Sequence, residues 1–431
     1  MLANRRDFVK SFGLLLGTAP FLTYLNLNAK VLAKEALDKA DSMSDSEASK
    51  NEDFWAWVQE SYTASPNIIN LNNGGVSPQP KVVQDAFERY YRMCNEAPSY
   101  YMWRILDQGR EPLRMKLANL AGCSAEELAI NRNSTESLAT IILGLNLKKG
   151  DEVVLTKQDY PNVINTWKMR EKRDGIKLKW VNFNFPIEND EEIVSQFENA
   201  FTPNTRIVNI THIINWIGQI LPARKIADAA HKKGIEVMVD AAHTFAHIDY
   251  KIPDLDCDYF GTSLHKWLCA PFGTGLLYIK KDKIKNVLPI FANGEPESGD
   301  IRKFESLGTR NFATEQAIGN AINFHNAIGS KRKEERLRFL KNYWAEKAAK
   351  IDKVKIHTSF KPEYSCALCL VSVDGVKSAD VSNTLFDKYK IHTVGIEWEN
   401  ISGVRVTPHV YTTLPDLDRL LVGLEDIAKS K

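Results

Sequence analysis

The sequence predicts an α/β fold, with a large domain on a mainly parallel sheet and a smaller C-terminal α+β domain. Three observations carry this. Short runs dense in Val and Ile alternate with charged helical stretches through the middle of the chain. Several of these runs are apolar at successive positions, as strands buried on both faces are. Beyond residue 330 the alternation gives way to one long charged helix, two strand-like runs and two further helices.

In chain order, a charged helical pattern at 84–120 comes first. DEVVLT (151–156) reads as a buried strand, 163–173 as a helix and IKLKWV (176–181) as an alternating strand. A helix at 191–200 leads to the strand RIVNIT (206–211), and a helix at 223–233, stopped by Gly234, leads to the strand IEVMVD (235–240). Short strands follow at 259–262 and 275–279. The stretch 331–349 reads as an amphipathic helix whose charge run at 331–338 is expected to be a solvated face. A strand at 366–373, a helix at 381–389, a strand-like run at 405–407 and a helix at 415–429 complete the small domain. The organisation expected is a signal at 1–33, a flexible spacer at 34–52, a segment at 53–80 that packs on the small domain, a large domain at 81–325 and a small domain at 326–431. The spacer expectation rests on a polar stretch poor in aromatics.

Composition narrows the function. The chain has 431 residues, 44% hydrophobic and 26% charged, an ordinary globular balance with room for a sizeable core. A net charge of +2 gives no electrostatic case for a nucleic-acid partner or an anionic membrane surface. The six cysteines (94, 123, 257, 269, 366 and 369) are scattered, and the CxxC at Cys366 and Cys369 has no second pair. They read as buried thiols, and no metal site is expected.

The first 33 residues differ from the rest. Arg5 and Arg6 precede a moderately apolar run at 12–27, and Val31-Leu32-Ala33 offers a small-residue cleavage site. This is the layout of a twin-arginine export signal, which implies the twin-arginine machinery as a partner and a periplasmic location. The competing reading is an amphipathic first helix. Thr18, Pro20, Thr23 and Asn26 make the run a poor membrane span, although an uncleaved signal would leave the protein anchored.

The chemistry centres on Lys266, set in GTSLHKWLCAPFGTG (261–275). Lysine is strongly hydrated and rarely sits in an apolar neighbourhood without a task. IEVMVD ends in Asp240, an acid that closes a buried strand and needs a cation. NRNSTESL places Ser134 and Thr135 at the start of a helix, where backbone N–H groups and hydroxyls suit an anion. Each feature alone is common: a strand-terminal Asp is often a loop cap, and a Ser-Thr pair at a helix start is often only a cap. Together, at the carboxyl ends of neighbouring strands, they match what pyridoxal phosphate needs. The lysine forms the Schiff base, the acid keeps the pyridine nitrogen protonated, and the helix start holds the phosphate.

From about 69 to 428 the chain resembles the class V aminotransferase family of pyridoxal phosphate fold type I, a group that includes cysteine desulfurases, kynureninase and isopenicillin N epimerase. LNNGGVSP (71–78) resembles the family's opening motif, which implies a substrate contact for Asn73. NSTES (133–137) resembles its phosphate loop, and DYPN (159–162) puts Tyr160 where a ring stacks on the cofactor. THIINWIGQILP (211–222) is similar to SHxSNxxGxxLP, implying that Asn215 meets the substrate carboxylate or the cofactor's phenolic oxygen. VDAAH implies Asp240 at the pyridine nitrogen and His243 at the phenolic oxygen, and TSLHK implies Ser263 and His265 on the phosphate. FESLGTRN (304–311) is similar to the motif whose threonine, here Thr309, reaches the phosphate of the neighbouring subunit of a homodimer. SGVRVTPHVYTT (402–413) implies that Arg405 clamps a substrate α-carboxylate. The fold implied is the type I transferase fold, with a mainly parallel seven-stranded sheet.

The resemblance also departs in one place. Desulfurases carry a nucleophilic cysteine on a loop shortly before that arginine, and IHTVGIEWENISGVR (391–405) has none. The run is closer to the isopenicillin N epimerase-like branch, some of whose members are exported by the twin-arginine route. The expected function is an exported pyridoxal phosphate enzyme acting on an amino acid or peptide-like metabolite. The substrate displaces Lys266 and gives up its Cα proton, leading to epimerisation, transamination or a related reaction. A cysteine desulfurase or C–S lyase, and an exported binding protein that keeps the fold without catalysis, are the alternatives. His243 and His247 lie four apart, but no acid between them completes a zinc motif. Trp267 is expected to pack at the sheet edge, and Trp398 is a candidate to face substrate.

Overall fold

The computed structural model describes residues 27–291 and 293–430. Thirteen strands are present among them. In chain order they are β1 (Ile69–Asn70), β2 (Leu128–Asn131), β3 (Glu152–Thr156), β4 (Lys177–Val181), β5 (Thr205–Thr211), β6 (Glu236–Asp240), β7 (Tyr259–Ser263), β8 (Gly275–Ile279), β9 (Val354–Ile356), β10 (Cys369–Val373), β11 (Ile391–His392), β12 (Val394–Trp398) and β13 (Ile401–Val406). The large sheet has seven strands in the order β2-β8-β7-β6-β5-β3-β4, with parallel pairing from β7 through β4 and β8 antiparallel to both neighbours. β3, β7 and β8 are buried along their whole length, as sheets covered on both faces are. One face meets helices Asp190–Ala200 and Ala223–His231, through Ile193, Phe197, Ile226 and Ala230. The other meets Ser134–Gly144 and Pro161–Asp174, through Leu138, Ile141, Val163 and Trp167.

A four-stranded antiparallel sheet, β12-β13-β10-β9, forms the small domain with helices Ser330–Ala348, Ser378–Tyr389 and Leu414–Lys429. A separate parallel pair, β1 with β11, ties the N-terminal segment to it.

Four local readings are corrected. The charge run at 331–338, expected as a solvated face, buries Lys333, Glu334 and Arg336, with Lys333 on the Trp267 carbonyl and Arg336 on Glu52. The charged pattern at 84–120 is not one helix: Lys81–Glu96 and Arg110–Ala121 are separated by a wide π-type turn over Tyr100–Leu106. The stretch 34–52, expected as a flexible spacer, is largely helical over Leu27–Asp41 and Asp45–Ala48. Leu37, Ala40 and Ala48 are buried, Asp41 pairs with Arg332 at 2.6 Å, and Ser44 and Glu47 form a capping box. A polar average hides the few apolar residues that dock such a helix. Helix Glu52–Glu60 then packs Phe54, Trp55 and Val58 against Trp267 and Phe324 as well as Leu337, so this segment bridges both domains. Arg5 and Arg6 lie outside the described residues, and the expected cleavage site at 31–33 falls within helix Leu27–Asp41. No helix among the described residues is long and apolar enough to cross a membrane.

Candidate active site

Register brings the chemistry to one edge of the sheet. Asp240 closes β6 opposite Thr211 of β5 and Gly261 of β7, and Lys266 lies in the turn that follows β7. The N-terminus of helix Ser134–Gly144 meets the same edge, because Ser263 Oγ accepts from the Ser134 N–H at 2.9 Å and hydrogen-bonds the Ser134 hydroxyl at 3.0 Å. Gly275 permits this approach: a Cβ there would lie 2.5 Å from the Asn133 backbone. The cleft at this edge holds about 320 Å³ and is lined by Ser134, Thr135, Tyr160, Asn215, Asp240, His243, Ser263, His265, Lys266 and Arg405. Ten of the expected residues thus converge, drawn from six separate stretches of sequence.

The Lys266 amine lies 3.1 Å from His243 Nε2. Loss of solvent, reinforced by the Arg405 charge and opposed by Asp240, brings that amine down to about 8. His243 is held well below the ordinary histidine range by burial and by the Lys266 and Arg405 charges, so its ring is neutral. When Lys266 donates to Nε2 the ring proton belongs on Nδ1, a buried atom without a partner. Asp240 accepts from the Ala242 N–H at 2.9 Å, and burial raises its carboxyl, with Lys266 pulling the other way. His265 Nδ1 meets the Thr274 carbonyl at 3.1 Å, and burial lowers the ring to about 4. To donate Nε2–H to a phosphate the ring must be doubly protonated, which the anion itself would favour.

Arg405, on β13, is 7% exposed, so it is no surface ion pair. Its guanidinium donates to the Asn215 carbonyl and to Asn72 Oδ1, both at 2.9 Å, and its Nε has no partner. Burial lowers it to about 10, and no carboxylate among the described residues pairs with it. A buried cation without an anion is costly to hold, and a carboxylate-bearing ligand would relieve that cost. Asn215 Oδ1 is likewise buried and unpartnered. His243 Nδ1, Asn215 Oδ1, Trp216 Nε1 and Arg405 Nε leave one cleft short of partners, and this donor and acceptor set fits pyridoxal phosphate with an amino-acid substrate.

Two expected residues fall elsewhere. Asn73 is corrected: it is fully buried, its amide donates to the Asn70 and Thr407 carbonyls, and its oxygen accepts from Tyr411 and Asn70. With both donors and both lone pairs used, it has nothing left for substrate, and Asn72, Gly74 and Gly75 take the cleft side of that turn. Thr309 is exposed and lines a neighbouring cleft with Asn131, Arg132 and Arg310 rather than the one around Lys266.

Sequence reasoning passed over others. Asp159 is buried and accepts from Thr156, Asn209 and Thr211, which anchors the turn presenting Tyr160. Trp216, Val394 and Ile396 line the cleft, while Trp398 is not on its lining and instead stacks behind Trp216, with centroids 5.1 Å apart. His247 uses both ring nitrogens within the fold, on the His243 carbonyl and the Ala367 N–H, and stacks on Trp267 at 3.8 Å. Cys269 is buried against Tyr62 and His409, and burial raises its thiol, as it does those of Cys366 and Cys369.

An amine near 8 makes the apo-protein's covalent uptake of pyridoxal phosphate strongly pH-dependent, because only the neutral amine attacks a carbonyl. The expected rate rises about tenfold per pH unit below pH 8 and levels off above it, as stopped-flow absorbance would record. A rate still climbing at pH 10 would mean an unshifted lysine.

The family model described as Aminotransferase class-V matches residues 69–420. The isopenicillin N epimerase of Amycolatopsis lactamdurans is 27% identical over 396 residues, covering 87% of this chain and 99% of that protein. A probable cysteine desulfurase of Halalkalibacterium halodurans is 26% identical, covering 85% and 95%. Among solved structures, an apo cysteine desulfurase from Thermococcus onnurineus matches with a TM-score of 0.77 at 23% identity, covering 87% of this chain and 98% of that one. A C-DES mutant with glycine covalently linked to its pyridoxal phosphate cofactor matches at 0.76 and 21% identity, covering 85% and 99%.

Proposed function

Since the chain belongs to the class V aminotransferase family, whose enzymes use pyridoxal phosphate, we propose that it is an exported enzyme that removes the Cα proton of an amino acid or peptide-like metabolite. The observation that carries this reading is the Arg405 guanidinium, buried without an anion in the cleft that holds Lys266. Arg405 and Asn215 hold the substrate carboxylate. Ser134, Thr135, Ser263 and His265 would hold the cofactor's phosphate, Tyr160 would lie against its ring, and Asp240 would keep a proton on its pyridine nitrogen. When bound, the cofactor supplies an electron-accepting ring that stabilises the charge left at Cα. Lys266, with an amine near 8, serves as the base that takes the Cα proton and can return it. His243, held neutral, would donate a ring N–H to the cofactor's phenolic oxygen.

An epimerase-type or aminotransferase-type outcome is favoured over a persulfide route, because no cysteine lines the cleft among the described residues. The reading is tested by following exchange of the α-proton for deuterium by NMR across a panel of amino acids and small peptides. Exchange with at least one compound, absent in Lys266→Ala, is expected, and no exchange with any would overturn the proposal. A homodimer in which Thr309 crosses to the other subunit's phosphate belongs to the same reading, and light scattering showing a monomer with full cofactor affinity would remove it. Periplasmic export by the twin-arginine route is checked by cell fractionation. Arg5→Lys with Arg6→Lys is expected to strand the protein in the cytoplasm, and unchanged export would refute the route.

A further inference from the structure

β12 runs outward from the carboxylate clamp. Val394 pairs across the hairpin with Arg405, and Ile396 and Trp398 follow at two-residue steps on the same face of the strand. The opposite face is polar: Glu397 accepts hydrogen bonds from Ser378 and Ser402, away from the cleft. Val394 and Ile396 line the cleft, and the stripe ends in Trp398, whose ring stacks on Trp216 at 5.1 Å and 21°. Trp216 follows Asn215 directly, so the indole wall rises beside the carboxylate position.

The wall is held in place at its far end. Trp398 Nε1 donates to the Lys157 carbonyl at 2.9 Å, and Asn400 at the hairpin tip donates to the Phe183 carbonyl at 2.8 Å and accepts from Gln158 at 3.0 Å. The small domain's hairpin is therefore tied across to the large domain. Once the cofactor and carboxylate groups are assigned, the lining left for a substrate side chain is Gly74, Gly75, Trp216, Ala242, Val394 and Ile396, with Asn133 and Thr211 already engaged on Glu136 and Asp159 and the Trp216 indole N–H a neutral donor. None of these offers a charge to an acidic or basic side chain, and burying an unpaired charge there is costly.

We infer that Trp216, backed by Trp398, and the Val394–Ile396 stripe form the side-chain subsite, and that the group borne on the substrate's α-carbon is apolar, with an aromatic ring fitting best. This rests on the proposed reading that Arg405 holds the α-carboxylate beside Lys266. A well-matched apolar contact is worth about 1–3 kcal/mol, or roughly 10–200-fold in affinity, and ring-on-ring packing adds to it.

The test titrates the holoenzyme with phenylalanine, leucine, alanine, aspartate, glutamate and lysine. It follows the cofactor's visible absorbance and, independently, tryptophan fluorescence. Phenylalanine and leucine are expected to bind at least about tenfold more tightly than aspartate, glutamate or lysine. Trp216→Ala is expected to weaken phenylalanine at least about tenfold while shifting alanine less than about threefold, and Trp216→Phe to retain most of the affinity. Acidic amino acids binding as tightly as phenylalanine, or Trp216→Ala weakening all ligands equally, would overturn the inference. So would a holoenzyme with borohydride-fixable cofactor on Lys266 that responds to no apolar amino acid, an outcome that leaves the cofactor assignment standing. A protein with no fixable cofactor would fail the underlying reading, and this inference with it.

Discussion

Lys266→Ala is expected to fold, to bind pyridoxal phosphate only non-covalently, and to lose turnover by about 10²–10⁴-fold or more, the span that a positioned general base supplies. The structure explains both halves of this expectation. The Lys266 amine has one side-chain hydrogen-bond partner, His243, so its removal breaks no structural network. It is also the group in the cleft with the chemistry of a carbonyl-trapping amine, and burial holds it near 8, where about a tenth is neutral at pH 7, far more than for an ordinary lysine. Added methylamine is expected to restore part of the rate, since the missing group is a small neutral amine. Turnover within about tenfold of the wild type would remove Lys266 from the mechanism. A variant that failed to fold would show as a lost thermal transition and is separated from the chemical effect in that way.

Arg405→Met should separate function from stability in the opposite sense. Two charge-assisted hydrogen bonds to a carboxylate, at about 1.5–3 kcal/mol each, place the expected loss in kcat/KM at about 10²–10⁴-fold for a carboxylate substrate. An amine that lacks the carboxylate should be affected far less. The apo-protein is expected to be as stable as the wild type or more so, because an apolar chain of similar length replaces a buried guanidinium that has no anion. Urea unfolding of both apo-proteins measures this. A loss of more than about 3 kcal/mol, the range for breaking a buried ion pair, would mean that Arg405 is a structural residue.

Much of this site was legible because each catalytic stretch is local and sits at a strand end. A buried strand that stops at an acid, as β6 does at Asp240, and a lysine just past another strand, as at Lys266, are visible in a linear string. Orientation within a turn was not. Asn72 and Asn73 are adjacent and chemically identical, yet one meets Arg405 and the other is saturated inside the protein. Trp216 escaped notice because its role depends on a hairpin nearly two hundred residues away, and Trp398 drew notice although it only backs Trp216. Helix Phe312–Ile328 gave little amphipathic signal because ten of its residues are buried, distributed around most of its surface. The helix at Leu27–Asp41 has the opposite problem, since Leu37 and Ala40 are lost in a polar average.

The most direct test is borohydride reduction of the purified protein followed by peptide mass mapping. The account predicts a visible absorbance band that borohydride bleaches, with the reduced pyridoxal phosphate adduct on the peptide containing Lys266 and on no other. Lys333 provides an internal control. It is also buried and brought down to about 8, but it bonds the Trp267 carbonyl behind the sheet-edge turn, outside the cleft. An adduct on Lys333 or another lysine, or no adduct after incubation with excess cofactor, would contradict the assignment of this cleft.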